Sequence, residues 1–379
     1  MNNDKTYLVV TPFFPSKSNF VGNYIFDQLI ELRNKTNFKI KIVKVVSIFS
    51  NEKDYVYKDF EISIFKVLDL PFFIFPGIFN FFNKKRFKKF LESKKINNIL
   101  ISHAHVVYPS LYLLDIVKSK KIVQHHGLDI LQLLNGRINF LNKIYKNILI
   151  RNSFFHLNNA DLNIGVSQKV LDNLSFYKQY IPKDELVLYN GVNKLKFFNI
   201  ESKAKNKSFN IGCIANFWKI KDHITLIKSV HLLIKDGIDC KLRLIGSGNT
   251  LSLCKNYVNS NSLHENVFFE KELPHSSLNK FYNEIDLFVL PSYYEALGCV
   301  YLEAWATQTP FIAIENQGIS ELVTISNKHI FFSEKENVFM LKDKIKYFID
   351  NKFEMVFNSN LYIHNTIKSL IKKINKLAL

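Results

Sequence analysis

Apolar residues along the chain fall into short runs, separated by longer stretches in which they recur with helical spacing. In the first half, residues 7–11, 39–47, 62–68, 98–102 and 121–124 are short and rich in β-branched or aromatic side chains, as strands are. Residues 23–33 instead put Ile25, Phe26, Leu29, Ile30 and Leu32 inward from one helix, and residues 139–158 predict a long helix. The second half repeats the alternation. Strands are expected over 209–215, 241–245, 267–269, 286–290 and 310–314, and helices over 223–234, 342–349 and 361–374. Strands alternating with helices predict parallel sheets built from βαβ units. Asn190-Gly191 is a strong turn signal, and the polar tract 199–208 reads as an exposed connection between two domains.

The stretch 285–308 carries the most chemistry. An apolar strand ends at Pro291, residues 292–297 form a polar aromatic loop, and a helical pattern begins near Gly298, with Val300, Ala304 and Thr307 on one side. Glu295 stands before that helix and Glu303 one turn inside it. In an open α/β sheet, ligands bind at the carboxyl ends of the strands. A helix N-terminus placed there offers N–H groups and partial positive charge to a phosphate. The segment can thus hold a phosphate near residues 298–300, with an acceptor on either side for a hydroxyl-rich molecule. The alternative is an ordinary strand–loop–helix unit with two solvent-facing glutamates.

Composition narrows the partners. A chain of 379 residues accommodates two domains. The formal charge of +18 suits nucleic acid, an anionic membrane or phosphorylated substrates, although the lysines are scattered and also fit a bias in codon usage. No RNA- or DNA-binding motif accompanies the charge, so no nucleic acid is expected. Residues 71–95 combine phenylalanines with Lys84, Lys85, Arg86, Lys88 and Lys89, the composition of a helix lying on an anionic membrane, and a helix is expected from Ile78. The four cysteines lack metal-ligand spacing and suggest a reducing compartment. Asp4 and the strand-like residues 7–10 come too early for a signal peptide, and no apolar run is long enough to span a bilayer. A cytoplasmic protein, peripheral on the inner face of the plasma membrane, is therefore expected.

The run Pro291-Ser292 to Glu303-Ala304, PS-x-x-E-x-x-G-x-x-x-x-E-A, resembles the signature of retaining glycosyltransferases of family 4, which have the GT-B fold. The resemblance extends over roughly residues 5–350 and is strongest over 285–322. It implies an α/β protein of two Rossmann-like domains facing across a cleft: an acceptor-side domain over 1–190 and a donor domain over 191–355. A last helix, 356–379, would cross back to the first domain. The implied activity moves a hexose-type sugar, with retention, from a nucleoside-diphosphate-sugar to a saccharide or lipid-linked acceptor, as in lipopolysaccharide, O-antigen or capsule synthesis. A nucleotide-sugar epimerase or hydrolase of related architecture is the alternative.

The same resemblance implies roles for residues. His126, in HHGLD at 125–129, would approach the donor sugar and reaction centre. Lys221 would reach the diphosphate, and Glu295 would bind sugar hydroxyls. Glu303 would accept from the ribose, the backbone near Leu297, Gly298, Cys299 and Val300 would hold phosphate, and the base would lie near Leu273. Gly246, in GSGN, would let the backbone approach the nucleotide. Two departures stand out: only Gly22 remains of the glycines usual in the first loop, and Asn216 replaces an arginine, leaving Lys221, with help from Lys219, to offset the leaving diphosphate. Asp161 and Ser167 match a further segment, where Ser167 also makes a good N-cap, and Glu321 matches a position the family fills with Glu. The nucleotide sugar is a substrate, so no cofactor is expected. No D-x-D pair is present to hold a metal, and the neighbouring His125 and His126 lack a third ligand.

Overall fold

A computed structural model describes residues 5–17, 19–69, 77–127, 140–200, 208–324 and 328–378, without the side chains of 140–146 and 149. The chain divides into two compact units, Met1–Gly191 with Ile363–Leu379, and Val192–Tyr362.

The first unit is built on an eight-stranded sheet: β1 (Thr6–Thr11), β2 (Lys39–Ser47), β3 (Tyr55–Tyr57), β4 (Phe60–Val67), β5 (Ile99–His105), β6 (Lys120–His125), β7 (Leu162–Gly165) and β8 (Glu185–Val187). Their order is β3-β4-β2-β1-β5-β6-β7-β8, and every pair is parallel except β3 with β4. All six residues of β1 are buried, as a central parallel strand covered on both faces requires. Strand order runs outward from β1 in both directions, so the crevice for a ligand opens at the carboxyl ends of β1 and β5. Helix α1 (Asn23–Lys35) buries Ile25, Phe26, Leu29 and Leu32, while Ile30 is only half-buried. The C-terminal helix, Ile363–Leu377, packs on α1 and buries Ile363, Ile367, Leu370 and Ile374, one stripe at helical spacing. Each such burial contributes about 1.5–3 kcal/mol, and Lys373 adds an ion pair to Asp184 at 2.5 Å.

The second unit has a six-stranded, wholly parallel sheet: β9 (Phe209–Ile214), β10 (Cys240–Ile245), β11 (Val267–Glu270), β12 (Leu287–Val289), β13 (Phe311–Ile314) and β14 (Phe332–Ser333). Its order is β11-β10-β9-β12-β13-β14, which puts the reversal between β9 and β12. Helices cover it, among them His223–Lys235, Leu251–Ser260, Leu278–Glu284, Cys299–Ala306 and Val338–Asp350. Both units thus have the Rossmann-like parallel architecture expected from the alternating pattern.

Some elements differ from the sequence reading. Between β5 and β6 the chain makes a widened turn over Val107–Leu111 followed by a tight one over Leu114–Ile116, where the apolar run ending at Ile116–Val117 predicts a helix. Strand β3 is a three-residue edge hairpin arm turning through Lys58, whose φ is 50°, and three residues give no readable period. The helix Leu251–Ser260 buries only Cys254 and Val258, too few for an apolar stripe. The polar tract is not the connection. The units meet in sequence at Gly191–Val192, and the N–H groups of Phe198 and Ile200 already bond to Asn279 and Asn283 of the second unit. Residues 201–207, 71–76 and Asp129 lie outside the described residues.

Candidate active site

At the β9/β12 reversal, the loops that follow these two strands lie side by side, and backbone bonds fix them there. After β9, Ala215 N–H bonds to Ile245 O at 3.1 Å and Phe217 N–H to Ser247 O at 2.7 Å, which ties this loop to the one after β10. Gly246 permits the approach: its φ is +144°, and a Cβ there would stand 2.2 Å from Ala215 O. Exposed Asn216 sits in this junction between Ala215 and buried Phe217. The loop after β12 is bound to the same place, with Tyr293 N–H donating to Ile220 O at 2.7 Å and Ser292 Oγ at 3.2 Å.

These ties bring two residues 74 positions apart into contact: Lys221 Nζ forms an ion pair with Glu295 Oε1. The pair is largely buried, with side-chain exposures of 22% and 15%. The lysine is thereby extended toward the carboxyl end of the sheet. An anion arriving there would compete with Glu295 for one ammonium.

Beyond Glu295 the chain enters the helix Cys299–Ala306 through Gly298, whose φ is +79° and whose added Cβ would stand 2.5 Å from the Tyr301 ring. Tyr301 is buried and its hydroxyl donates to Leu290 O at 2.7 Å, clamping strand, loop and helix together. No side chain caps this helix, and Cys299 and Val300 are half-exposed at its start. The Leu297 side chain is 1% exposed, so Leu297 can offer a ligand its backbone only. One turn in, Glu303 Oε2 accepts from Tyr282 OH at 2.9 Å, and His275 Nε2 stands 3.8 Å from Oε1. Burial, and then the Glu303 charge, pushes the Tyr282 phenol far up, so this hydroxyl stays a donor. Half-buried Leu273 lies two residues before His275, on the loop after β11. Glu321 ends a turn over Gly318–Glu321 whose first N–H bonds to Glu295 O at 3.4 Å.

Two buried titratable groups flank Lys221. Burial, helped by Glu336, pushes the Asp222 carboxyl up to about 6 against hydrogen bonds from Thr225 and Tyr293. His223 stacks on Phe217 with ring centroids 4.0 Å apart, and burial lowers its imidazole to about 4.

Gly22 and His126 belong to the first unit. Gly22, in left-handed conformation, opens α1. His126 directly follows β6, and its ring lies 4.7 Å from that of Tyr24, two residues after Gly22. His126 Nε2 is 2.9 Å from His105 Nδ1. Ser167 caps the next helix, accepting from Val170 N–H at 3.4 Å, and Asp161 accepts from Lys121 N–H at 2.8 Å; both are structural bonds.

Sequence reasoning missed Tyr282, Tyr301 and His275, for which only the fold supplies the neighbours. His105 had a signal: with His103 it forms an i, i+2 pair, which a strand places on one face. Among the described residues, no group of three His, Cys, Asp or Glu is arranged to hold a metal, and no helix is long and apolar enough to cross a membrane.

Residues 196–369 match the family model for glycosyl transferases group 1. A relative from Staphylococcus aureus, the capsular polysaccharide biosynthesis glycosyltransferase CapM, is 29% identical over 158 residues, 40% of this chain and 39% of that protein. The chain spans under half the length of the first curated relatives it matches. Among solved structures, sucrose-phosphate synthase from Thermosynechococcus elongatus aligns over 99% of this chain and 96% of its own, at 14% identity and a TM-score of 0.74. Anabaena HepE in complex with UDP and glucose aligns over 99% and 97%, at 14% identity and a TM-score of 0.68. Residues 196–369 are thus similar to glycosyl transferases group 1, and the chain as a whole has the fold of GT-B glycosyltransferases.

Proposed function

We propose that the protein is a retaining glycosyltransferase of family 4 that moves a hexose-type sugar from a nucleoside-diphosphate-sugar to a saccharide or lipid-linked acceptor. The observation that carries this reading is the Lys221–Glu295 pair, joined to a helix N-terminus at the reversal of a sheet inside the region similar to glycosyl transferases group 1. In this reading Lys221 and the N–H groups around Gly298–Val300 stabilise the leaving diphosphate. Glu295 binds sugar hydroxyls once the phosphate has drawn Lys221 away, and Glu303 accepts from the ribose. Asn216 and Gly246 line the nucleotide, Leu273 stands beside its base, and Gly22 and His126 keep the donor-binding and catalytic roles that the family resemblance implies. His126 then donates to a sugar hydroxyl or phosphate near the reaction centre. The leaving phosphate deprotonates an acceptor on its own face, which accounts for retention without a protein nucleophile. The role of CapM in capsular polysaccharide biosynthesis and the UDP and glucose bound to HepE support a sugar-nucleotide donor and a capsule-type product.

The helix Asn80–Ser93 supports an anionic membrane surface as partner. It exposes Phe81 by 73% and Phe82 by 50%, and exposes Lys85, Lys88 and Lys89. Two cations of the expected cluster are engaged elsewhere: Lys84 pairs with Asp115, and the Arg86 guanidinium packs over the Phe65 and Phe82 rings. Phe87 is core.

The test is incubation with a panel of sugar nucleotides, with and without membrane extract as acceptor source, followed by product analysis. Transfer that requires acceptor and keeps the anomeric configuration is expected. Consumption of the nucleotide sugar without acceptor would point instead to an epimerase or hydrolase.

A further inference from the structure

Behind His126 the first unit contains a row of side chains to which the proposed reaction assigns no role. Tyr7 OH lies 2.7 Å from His103 Nδ1, deep in the sheet. The His103 ring stacks on His105 with centroids 4.3 Å apart, and His105 Nδ1 meets His126 Nε2 at 2.9 Å. His126 in turn packs against Tyr24. The row thus runs from the middle of the sheet to its carboxyl end. His103 and His105 are 0% exposed, and burial holds His103 down at about 3 and His105 well below the ordinary imidazole value. Both rings are therefore neutral at neutral pH. On the neighbouring strand, opposite His105, Gln124 accepts from Gln28 at 3.0 Å and adds no charge.

A neutral imidazole has one donor nitrogen and one acceptor nitrogen. With His105 neutral, a bond to His126 commits one proton to one side, and in the neutral form of His126 it thereby sets the tautomer of each ring. We infer that His105 is a positioning residue: through its bond to Nε2 it fixes the ring orientation and the tautomer of His126. Stacking on His103, which Tyr7 anchors, holds His105 still enough for this. The inference rests on the proposed role of His126 for its consequence in turnover, but the tautomer can be read without it.

The experiment uses the full chain labelled with 15N-histidine. Long-range 1H–15N spectra report the tautomer of each imidazole, and the His126→Gln spectrum assigns His126. A single His126 tautomer is expected in the wild type. His105→Phe keeps the stacking volume but removes the nitrogen, and should give His126 a mixture of tautomers. His105→Asn places an amide near the lost Nδ1 and should restore a single form. A mixture in the wild type, or an unchanged His126 signal in a folded His105→Phe protein, would overturn the inference. Turnover of UDP-glucose supplies a second reading. His105→Phe should lower kcat by up to about 100-fold with little change in KM, because the ring is misplaced rather than lost. If His126→Gln leaves turnover intact while the tautomer result holds, the role of His126 fails and the positioning by His105 stands.

Discussion

Lys221 and Glu295 are each other's partner before any ligand arrives. Their substitutions should therefore differ in kind. Lys221→Met removes the cation that the proposed function sets against the diphosphate, and leaves a mostly buried carboxylate unpaired. It should lower kcat/KM for transfer by roughly 100-fold or more, with Lys221→Arg recovering part. Steady-state kinetics on both variants checks this, and a Lys221→Met enzyme as active as wild type would remove Lys221 from the chemistry. Glu303 differs because Tyr282 already occupies one oxygen. Tyr282→Phe should weaken nucleoside-diphosphate binding by a few-fold, the effect of about 1 kcal/mol from one lost hydrogen bond, with kcat unchanged. Much of this site is legible in sequence, because the spacing of Glu295, Gly298 and Glu303 is local to one strand–loop–helix segment. Tyr282 and His275 reach Glu303 from other elements, and the ion pair crosses 74 positions, distances over which periodicity carries no information.

The elements that position these residues depend on a few strained or buried points. Gly298 turns the chain into its helix against the face of Tyr301. Gly298→Ala should destabilise the second unit by about 1–3 kcal/mol and weaken donor binding, read by thermal melting with and without nucleotide. An unchanged melting temperature would show that the loop relaxes freely. Strand β5 carries two buried neutral histidines, and the helix after Asp222 begins with a third, His223. Their folded values lie below the ordinary value, so between about pH 6.5 and 4 the unfolded chain binds more protons and stability falls with pH. Each histidine contributes about 2 kcal/mol of loss by pH 5. Asp222, raised to about 6, works the other way: the folded form takes its proton more readily, so acidification from about 6 to 4 favours folding there. Among the described residues the second unit holds His223 and His231, the latter also lowered by burial and then by Lys235, and offsets them in part with Asp222; the first holds His103 and His105 with no such offset. Calorimetry at pH 7 and pH 5 should show the larger loss in the first unit; equal shifts would contradict this. Such pairings lay outside the sequence reading because burial of a histidine is set by its sheet neighbours. Strand and helix existence was readable from the alternation, whereas β3 and the helix Leu251–Ser260 were too short or too polar to show a period.

At the scale of the whole molecule, the +18 charge and the exposed face of the helix Asn80–Ser93 bear on where the protein acts. Each cation near an anionic surface contributes about 1 kcal/mol. Replacing Lys85, Lys88 and Lys89 with Gln should therefore release the protein from anionic vesicles at low salt in sedimentation, with nucleotide binding kept. Equal pelleting of the two proteins would move the membrane contact elsewhere. Nucleotide recognition by the second unit is read by isothermal titration calorimetry. Wild type, Glu303→Ala and Glu295→Ala are titrated with UDP, GDP and ADP and with the glucose conjugate of each. One nucleoside diphosphate should bind. Glu303→Ala should weaken both that nucleotide and its sugar conjugate by roughly 10- to 150-fold, whereas Glu295→Ala should weaken the conjugate and spare the free nucleotide. Equal losses on both ligands for both variants, or no binding of any nucleotide, would contradict the account.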